Sequence, residues 1–560
     1  MMKKVCAVSK KEFEITDADL EFYEKMGVPV PTICPEERQR RRLAHRNERK
    51  LYRRKCDLCG EKIISIYPEN SPFSVFCQKC WWSDLWDAKS FGRDFDFSKP
   101  FFEQFAALQK KVPQCSLCVL NSENSEFCNY VGNVRNCYLV FGPVYSEDCL
   151  YGSPYYSKNC VDNLLLRKCE WCYECVDCRK LYECFHCQDC HSSNKLVHCF
   201  DLKNCHDCIG CAGLRNKSYC IFNVSYSRED FEKMKKKLDL KNPNHHEKIR
   251  QELARLKLEV PHRFMQGFQN DREITGNYIF NSKNIDNSYF VDRCEDCSYC
   301  AQIVDLKNCF DNNFTEENEG CVEYLGAYQN KFLHFSKFCN QVSESFYADS
   351  CFHSSNLFGC VGMRHAEFCI LNKKYSPEEF EKLRTKIVQK MRETGEWGEF
   401  FPIEISPFAY NETVAQEYFP LEKSEVLARG WRWREQKKTQ SSRKSGEKKS
   451  SFLKEDLGGF KIPDSIFDVD EKICSEILAC KTCGKNYKIQ KSELKFYKKM
   501  SLPIPQKCPD CRHFSRMKLR NPRKLFSRKC ESCDQKICTT FSPDRPEKVF
   551  CEQCFVDAVN

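Results

Sequence analysis

Residues 160–211 read CVDNLLLRKCEWCYECVDCRKLYECFHCQDCHSSNKLVHCFDLKNCHDCIGC. No helical period runs through this stretch. Asn, Asp and Ser punctuate short apolar or aromatic runs, the pattern of brief strands between turns. Neighbouring units look alike, as in NVRNCYLVFG (133–142), YSEDCLYG (145–152) and YSKNCVDN (156–163). The same cadence covers 113–225 through Cys115, Cys118, Cys128, Cys137, Cys149, Cys160, Cys169, Cys178, Cys190, Cys199, Cys208 and Cys220. Short strands at a regular step signal a repeat architecture, and a parallel β-solenoid of roughly 20 residues per coil is expected, with cysteines stacked inside.

This region is duplicated. Cys160, Cys172, Cys190, Cys211 and Cys220 recur 149 residues later as Cys309, Cys321, Cys339, Cys360 and Cys369. Each half ends in a helical pattern opened by Ser227 or Ser376 as N-cap. The fold class expected is mainly β with α segments: a central duplicated parallel β-solenoid flanked by small zinc ribbons. The divisions are an N-terminal zinc-ribbon module (1–89), an aromatic linker (90–112), solenoid halves at 113–225 and 265–374, a helical insert (226–264) and a helix (375–395). A linker (396–470), disordered over its Lys/Ser-rich part 436–455, leads to a C-terminal double zinc-ribbon module (471–560).

The two ends carry a second repeat. Cys56, Cys59, Cys77 and Cys80 recur 474 residues later as Cys530, Cys533, Cys551 and Cys554. C-x2-C pairs turn two thiolates onto one ion, and two such pairs complete a tetrahedral S4 site suited to Zn²⁺. Cys480, Cys483, Cys508 and Cys511 form a further quartet. At the N-terminus Cys6 and Cys34 survive of that quartet, with Ser9 and Glu37 in the other two places. Ligands are therefore expected to pair sequentially, giving about three zinc ions.

A basic stripe separates the quartets. Residues 38–55 read RQRRRLAHRNERKLYRRK and residues 512–529 read RHFSRMKLRNPRKLFSRK. Arg38, Arg40, Arg41, Arg42, Arg46, Arg49, Lys50, Arg54 and Lys55 are the candidate nucleic-acid contacts in the first copy. Arg512, Arg516, Lys518, Arg520, Arg523, Lys524, Arg528 and Lys529 are those in the second. Cationic side chains at this density match a phosphate backbone, and a zinc ribbon beside them is a common nucleic-acid-binding combination. Nucleic acid, RNA over DNA, is the expected partner. An acidic protein is the alternative, and the oligomeric state is left open. The runner-up functions are a protein-interaction scaffold using the solenoid surface and a thiol-rich metal or redox protein.

Composition narrows the field. Forty-three cysteines without a signal peptide point to metal sites and buried thiols in a reducing cytoplasm. No apolar run reaches the roughly 18 residues of a spanning helix, so no membrane role is expected. The chain holds no nucleophile elbow, P-loop, GxGxxG or HExxH motif, and the reading is non-enzymatic. The CxxCxxC runs at 172/175/178, 184/187/190, 205/208/211 and 294/297/300 read as structural corners rather than as cluster ligands.

Some of these motifs carry a resemblance. The run from CKTC (480–483) through ELKFYKKMSLPIPQKCPDCR (493–512) resembles a zinc-ribbon family marked by C-x2-C, a Tyr-bearing helix and CPxCR. With WWSDLWDAKSFGRDFDFSKPFFEQF (81–105) and AYNETVAQEYFPL (409–421), nearly the whole chain is similar to a group of candidate-phyla bacterial proteins. These have terminal zinc ribbons around a Cys/Asn-rich repeat region, and some carry a CaiB/BaiF-type CoA-transferase label. The resemblance implies zinc at the matched cysteines and a bacterial cytoplasmic setting. It implies no established activity, and no acyl-transfer constellation accompanies it here.

Overall fold

In the computed structural model, the described residues are 2–240, 243–322, 326–328, 333–334, 338–435, 462–463 and 465–559. The segment 436–455, expected to be disordered, lies outside them. The protein mixes helix and strand in mostly small, parallel sheets, and no sheet among the described residues closes into a barrel. Two larger sheets dominate, one within Pro154–Ser225 and one within Gly267–Lys374.

Both are ladders whose paired strands keep nearly one register. Arg179 pairs with His191, Asn194 with His206 and Cys208 with Cys220. In the second ladder Tyr289 pairs with Ala301 and Cys297 with Cys309. Each of these partners lies 12 residues on, so the repeat step is 12 residues and not the roughly 20 expected from cysteine spacing. The separation is a residue shorter in two places, where Leu150 meets Val161 just before the first sheet and where Ile274 meets Ile285 in the second.

The backbone explains the step. Trp171, Glu174, Asp177, Lys180, Glu183, His186 and Asp189 all have φ between 48° and 57°. Every third residue in this stretch is thus left-handed, four to each 12-residue register step. The residue after each corner points inward: Cys172, Cys175, Cys178, Leu181, Cys184, Cys187 and Cys190 are buried. This is the origin of the CxxCxxC runs. A small thiol fills the narrow interior and its S–H finds a carbonyl. The Cys175 Sγ lies 3.5 Å from Tyr173 O and 3.3 Å from Cys184 O. Asn and Asp tolerate the left-handed corner and stack, as in Asn124 Nδ2 donating to Asn136 Oδ1 at 3.1 Å. Trp or Lys at a corner costs about 1–2 kcal/mol, which the ladder must carry.

Both ladders end alike. A short antiparallel strand turns back (Cys220 with Ser225, Cys369 with Lys374). Ser227 and Ser376 then cap helices Arg228–Leu238 and Pro377–Thr394, as expected. After the first, a further long helix, Pro243–Glu259, comes next; among the described residues after the second, the helices that come next are the short Val414–Tyr418 and Lys423–Ala428. The linker 90–112 forms helix Phe101–Lys111, whose Phe101 meets Tyr347 and Phe358 of the second ladder.

The terminal segments are placed crosswise. Near the N-terminus, helix Pro35–Leu43 lies on the second ladder. Arg38 Nε donates to Asp311 Oδ1 at 2.8 Å, Arg42 Nη1 to the same oxygen at 3.1 Å, and Tyr23 OH to Asp311 Oδ2 at 3.0 Å. Near the C-terminus, helix Pro509–Met517 lies on the first ladder. Arg512 pairs with Asp162 there, and Arg516 Nη1 is 3.1 Å from Asp162 Oδ1. Arg38 and Arg512, and Arg42 and Arg516, are 474 residues apart, while Asp162 and Asp311 are 149 apart. The two sequence repeats therefore meet in one contact made twice. All six side chains are buried.

The second quartet of each end joins the strand that leads into the nearer ladder, and at the N-terminal end Trp81 also meets Phe352 of the second ladder. Val75 and Phe76 pair in parallel with Gln114 and Cys115, and Val549 and Phe550 with His262 and Arg263. Each terminal segment thus touches both ladders.

This packing can be tested at two positions. Asp311→Ala removes the buried carboxylate that Arg38, Arg42 and Tyr23 share and should cost about 3–5 kcal/mol, read from the denaturant midpoint. Asp94→Ala, which removes only an exposed partner of Lys373 and Tyr375, should leave that midpoint in place. His191 sits edge-on to Phe268 of the second ladder at 5.2 Å. Burial, then Arg179, Lys180 and Lys203, push its imidazole down to about 4. Between about 6.5 and 4 the unfolded chain takes up a proton that the folded one refuses. Stability should fall as pH drops through that window, and less so in His191→Asn.

Candidate metal centres

Each quartet is built by a tight hairpin that offers one C-x2-C and a second C-x2-C at a helix start. The chain between Tyr52–Lys55 and Lys62–Ser65 turns at Cys56–Cys59, and Cys77 caps the short helix Gln78–Trp81. Backbone donors aim at the sulfurs: Cys77 N lies 3.2 Å from Cys56 Sγ, and Cys551 N lies 3.2 Å from Cys530 Sγ.

Three groups of four cysteines converge: 56/59/77/80, 480/483/508/511 and 530/533/551/554, with sulfurs within 4.8 Å of one another in each. The expected sequential pairing is the one observed. Cys59 and Cys77 are 4.0 Å apart, Cys483 and Cys508 3.7 Å, and Cys533 and Cys551 3.8 Å. A tetrahedron with metal–sulfur bonds of about 2.3 Å has an edge of about 3.8 Å, so the donors fit a metal ion. Burial pushes the first thiol of each group up, but backbone N–H donors outweigh it. Cys56 is brought down to about 7, and Cys480 and Cys530 to about 6. Thiolate is the ligating form. Every cysteine whose side chain is described is free of disulfide bonding.

The N-terminal half-site keeps Cys6 and Cys34 close together without the other two ligands. Ser9 Oγ lies 3.7 Å from Cys34 Sγ, and Cys34 N is 3.3 Å from Cys6 Sγ. Glu37 turns away to Arg40 at 2.5 Å.

The CxxCxxC runs belong to none of the converging groups. Their sulfurs follow the ladder interior, and burial pushes Cys294, Cys297 and Cys300 above the usual thiol range.

The basic stripes are corrected by the structure. Arg38, Arg40, Arg42, Arg46, Arg54, Arg512, Arg516 and Arg523 are buried. Arg46 pairs with Glu48 and stacks on Tyr130 at 3.9 Å, and Arg54 pairs with Asp57. Arg523 donates to Gln302 and lies over Tyr418. Arg41, Arg49, Lys50, Arg520 and Arg528 are half-buried and face Glu399, Glu417, Asp510, Asp177 and Glu531. Only Lys55, Lys518, Lys524 and Lys529 of the candidate contacts are exposed. Most arginines of the two stripes meet carboxylates, amides or rings inside the fold, which leaves few of the candidate cations exposed to a phosphate. The partner carboxylates Asp162, Asp311, Glu417 and Asp177 escaped the sequence reading. The one signal for the first two was their recurrence at the 149-residue offset.

Between the ladders lies a cleft of about 650 Å³. Its walls include Trp82, Tyr130, Tyr145, Tyr156, Tyr278 and Phe290. Rings stack one register step apart: Tyr145 on Tyr156 at 5.2 Å and Tyr278 on Phe290 at 4.4 Å. Arg167 and Arg179 line it as well and share Asp292, at 2.6 and 3.1 Å.

No protein-family model matches the chain, and no curated protein matches it. No helix among the described residues is long and apolar enough to cross a membrane.

Restoring the lost ligands gives a direct test of the half-site. The double variant Ser9→Cys, Glu37→Cys should bind one more metal equivalent than the parent protein. Metal quantified against protein concentration would show it, and an unchanged ratio would mean that the half-site has lost its geometry too.

Proposed function

We propose that this protein is a non-enzymatic zinc-stapled binding scaffold. Its two ladders are the coils of parallel β-solenoid halves, 113–225 and 265–374. Zn²⁺ at the three four-cysteine groups holds the terminal modules, 1–89 and 471–560, in the shape that lets each clamp both halves. The clamps keep the aromatic cleft open at fixed width, and the cleft is the binding surface. The observation that carries this reading is the crossed pair of buried contacts, Arg38 and Arg42 on Asp311 and Arg512 and Arg516 on Asp162. Zinc supplies rigidity here and no reaction step.

The ligand that suits the cleft is single-stranded nucleic acid, RNA before DNA. Stacked rings accept any base face at about 1–3 kcal/mol per base, and Arg167 and Arg179 outnumber the one carboxylate they share. This moves nucleic-acid contact from the stripes to the cleft. A second reading, an apolar protein segment in the same cleft, is favoured by the burial of the stripes.

A labelled oligouridylate titrated by fluorescence anisotropy separates these. On the nucleic-acid reading, Tyr145→Ala and Tyr278→Ala each weaken binding by about 5- to 150-fold. Lys518→Glu and Lys524→Glu change it little. Loss confined to the lysine variants would return the contacts to the exposed surface. No binding by the parent protein would leave the protein-segment reading. In either case a strong chelator should release the terminal modules to protease.

A further inference from the structure

One cluster of ligating side chains takes no part in the four-cysteine groups. We propose that His186, His198 and His246 form a fourth metal centre, a three-imidazole site for a borderline divalent ion such as Zn²⁺. His186 and His198 occupy the same left-handed corner in successive turns of the first ladder, with rings 4.4 Å apart and 2° from parallel. His246 comes from helix Pro243–Glu259, and its ring lies 5.5 and 5.0 Å from theirs. One nitrogen from each ring falls within 4.8 Å of the other two. Three ligands of a tetrahedral zinc are about 3.4 Å apart, a change that side-chain rotation supplies.

The supporting contacts match those of metal-bound histidines, whose second nitrogen is held by a carboxylate or a carbonyl. His186 Nδ1 lies 3.2 Å from Glu174 Oε2, which leaves Nε2 for the ion. His246 Nε2 lies 2.7 Å from Leu240 O, which leaves Nδ1. His198 Nε2 faces that Nδ1 at 2.7 Å. Without an ion one proton is shared between these two atoms. With an ion the His198 ring hydrogen moves to Nδ1 and both lone pairs turn to the metal. His198 and His246 are buried, and neutral imidazole is the ligating form. Imidazole donors suit Zn²⁺, Cu²⁺, Ni²⁺ and Fe²⁺ better than Mg²⁺ or Ca²⁺.

The site has a structural consequence. Among the described residues no helix of this length follows Pro377–Thr394 after the second ladder, and Tyr347 stands 149 residues after His198. The ion would fasten this added helix to the first ladder. Glu174 also faces Arg516 at 3.7 Å, so the site adjoins the Asp162 contact.

The test uses the full chain loaded with Zn²⁺ and dialysed. Four zinc equivalents are expected in the parent protein, three in His246→Ala and four in His245→Ala. X-ray absorption at the zinc edge of the parent should show an imidazole shell at about 2.0 Å beside sulfur at about 2.3 Å. Three equivalents with sulfur alone, or four retained in His246→Ala, would overturn the proposal. If His246→Ala does not fold, the absorption spectrum of the parent decides. Imidazole without sulfur would uphold this centre and remove zinc from the four-cysteine groups, so the two readings fail separately.

Discussion

A carboxylate buried against two arginines is the contact on which the rest of this protein depends. Asp162 and Asp311 each sit at a left-handed corner of a ladder, facing outward from its thiol-filled interior. Alone, each would be a desolvated charge on a packed surface. The arginines that neutralise it come from the far end of the chain. Two of them, one helical turn apart on helices Pro35–Leu43 and Pro509–Met517, reach one carboxylate together. Remove the acid and two buried cations lose the carboxylate they share; remove the helix and the carboxylate loses both arginines. Neither ladder and neither terminal segment is therefore electrostatically complete without a partner remote in sequence.

The two contacts are not equal in strength of charge. At Asp311, Arg38 and Arg42 outweigh burial and hold the carboxyl below its ordinary value. At Asp162 burial prevails over Arg512 and Arg516 and lifts it to about 6. Glu493, close to Arg512, competes for the same guanidinium at 3.1 Å. Its counterpart Asp19 instead accepts a hydrogen bond from Tyr299 at 3.0 Å. Sequence divergence between the repeats has thus altered the surroundings while keeping the central pair.

Much of this was legible in the sequence. The four-cysteine groups are local hairpins with fixed spacing, so four letters in order name the ligands, and the loss at Ser9 and Glu37 was visible as a loss. The ladders were legible as repeats of short parallel strands, because Asn, Asp and Cys recur with them. Their step was misjudged. The cysteines that stood out, 9 or 12 apart, mark only some of the inward positions, while Leu181, Leu196 and Leu202 fill others. A three-residue stride with a corner at each third residue has no familiar hydrophobic period. The arginine stripes were misread for a different reason. Charge density along a chain is local information, and whether a guanidinium meets phosphate or a carboxylate 273 residues away is not.

That separation also sets an order of events in synthesis. Arg38 leaves the ribosome long before Asp311 exists. At about 5–20 residues per second, the wait over 273 residues is roughly 14–55 s. The first ladder has emerged well before then, but its Asp162 waits for a segment later still. The nascent protein therefore carries an uncovered cationic helix and an uncovered anionic corner at the same time, each shaped for a mate not yet made. Helix Pro35–Leu43 is without that carboxylate only during this interval, which ends once Asp311 has emerged and its ladder has formed.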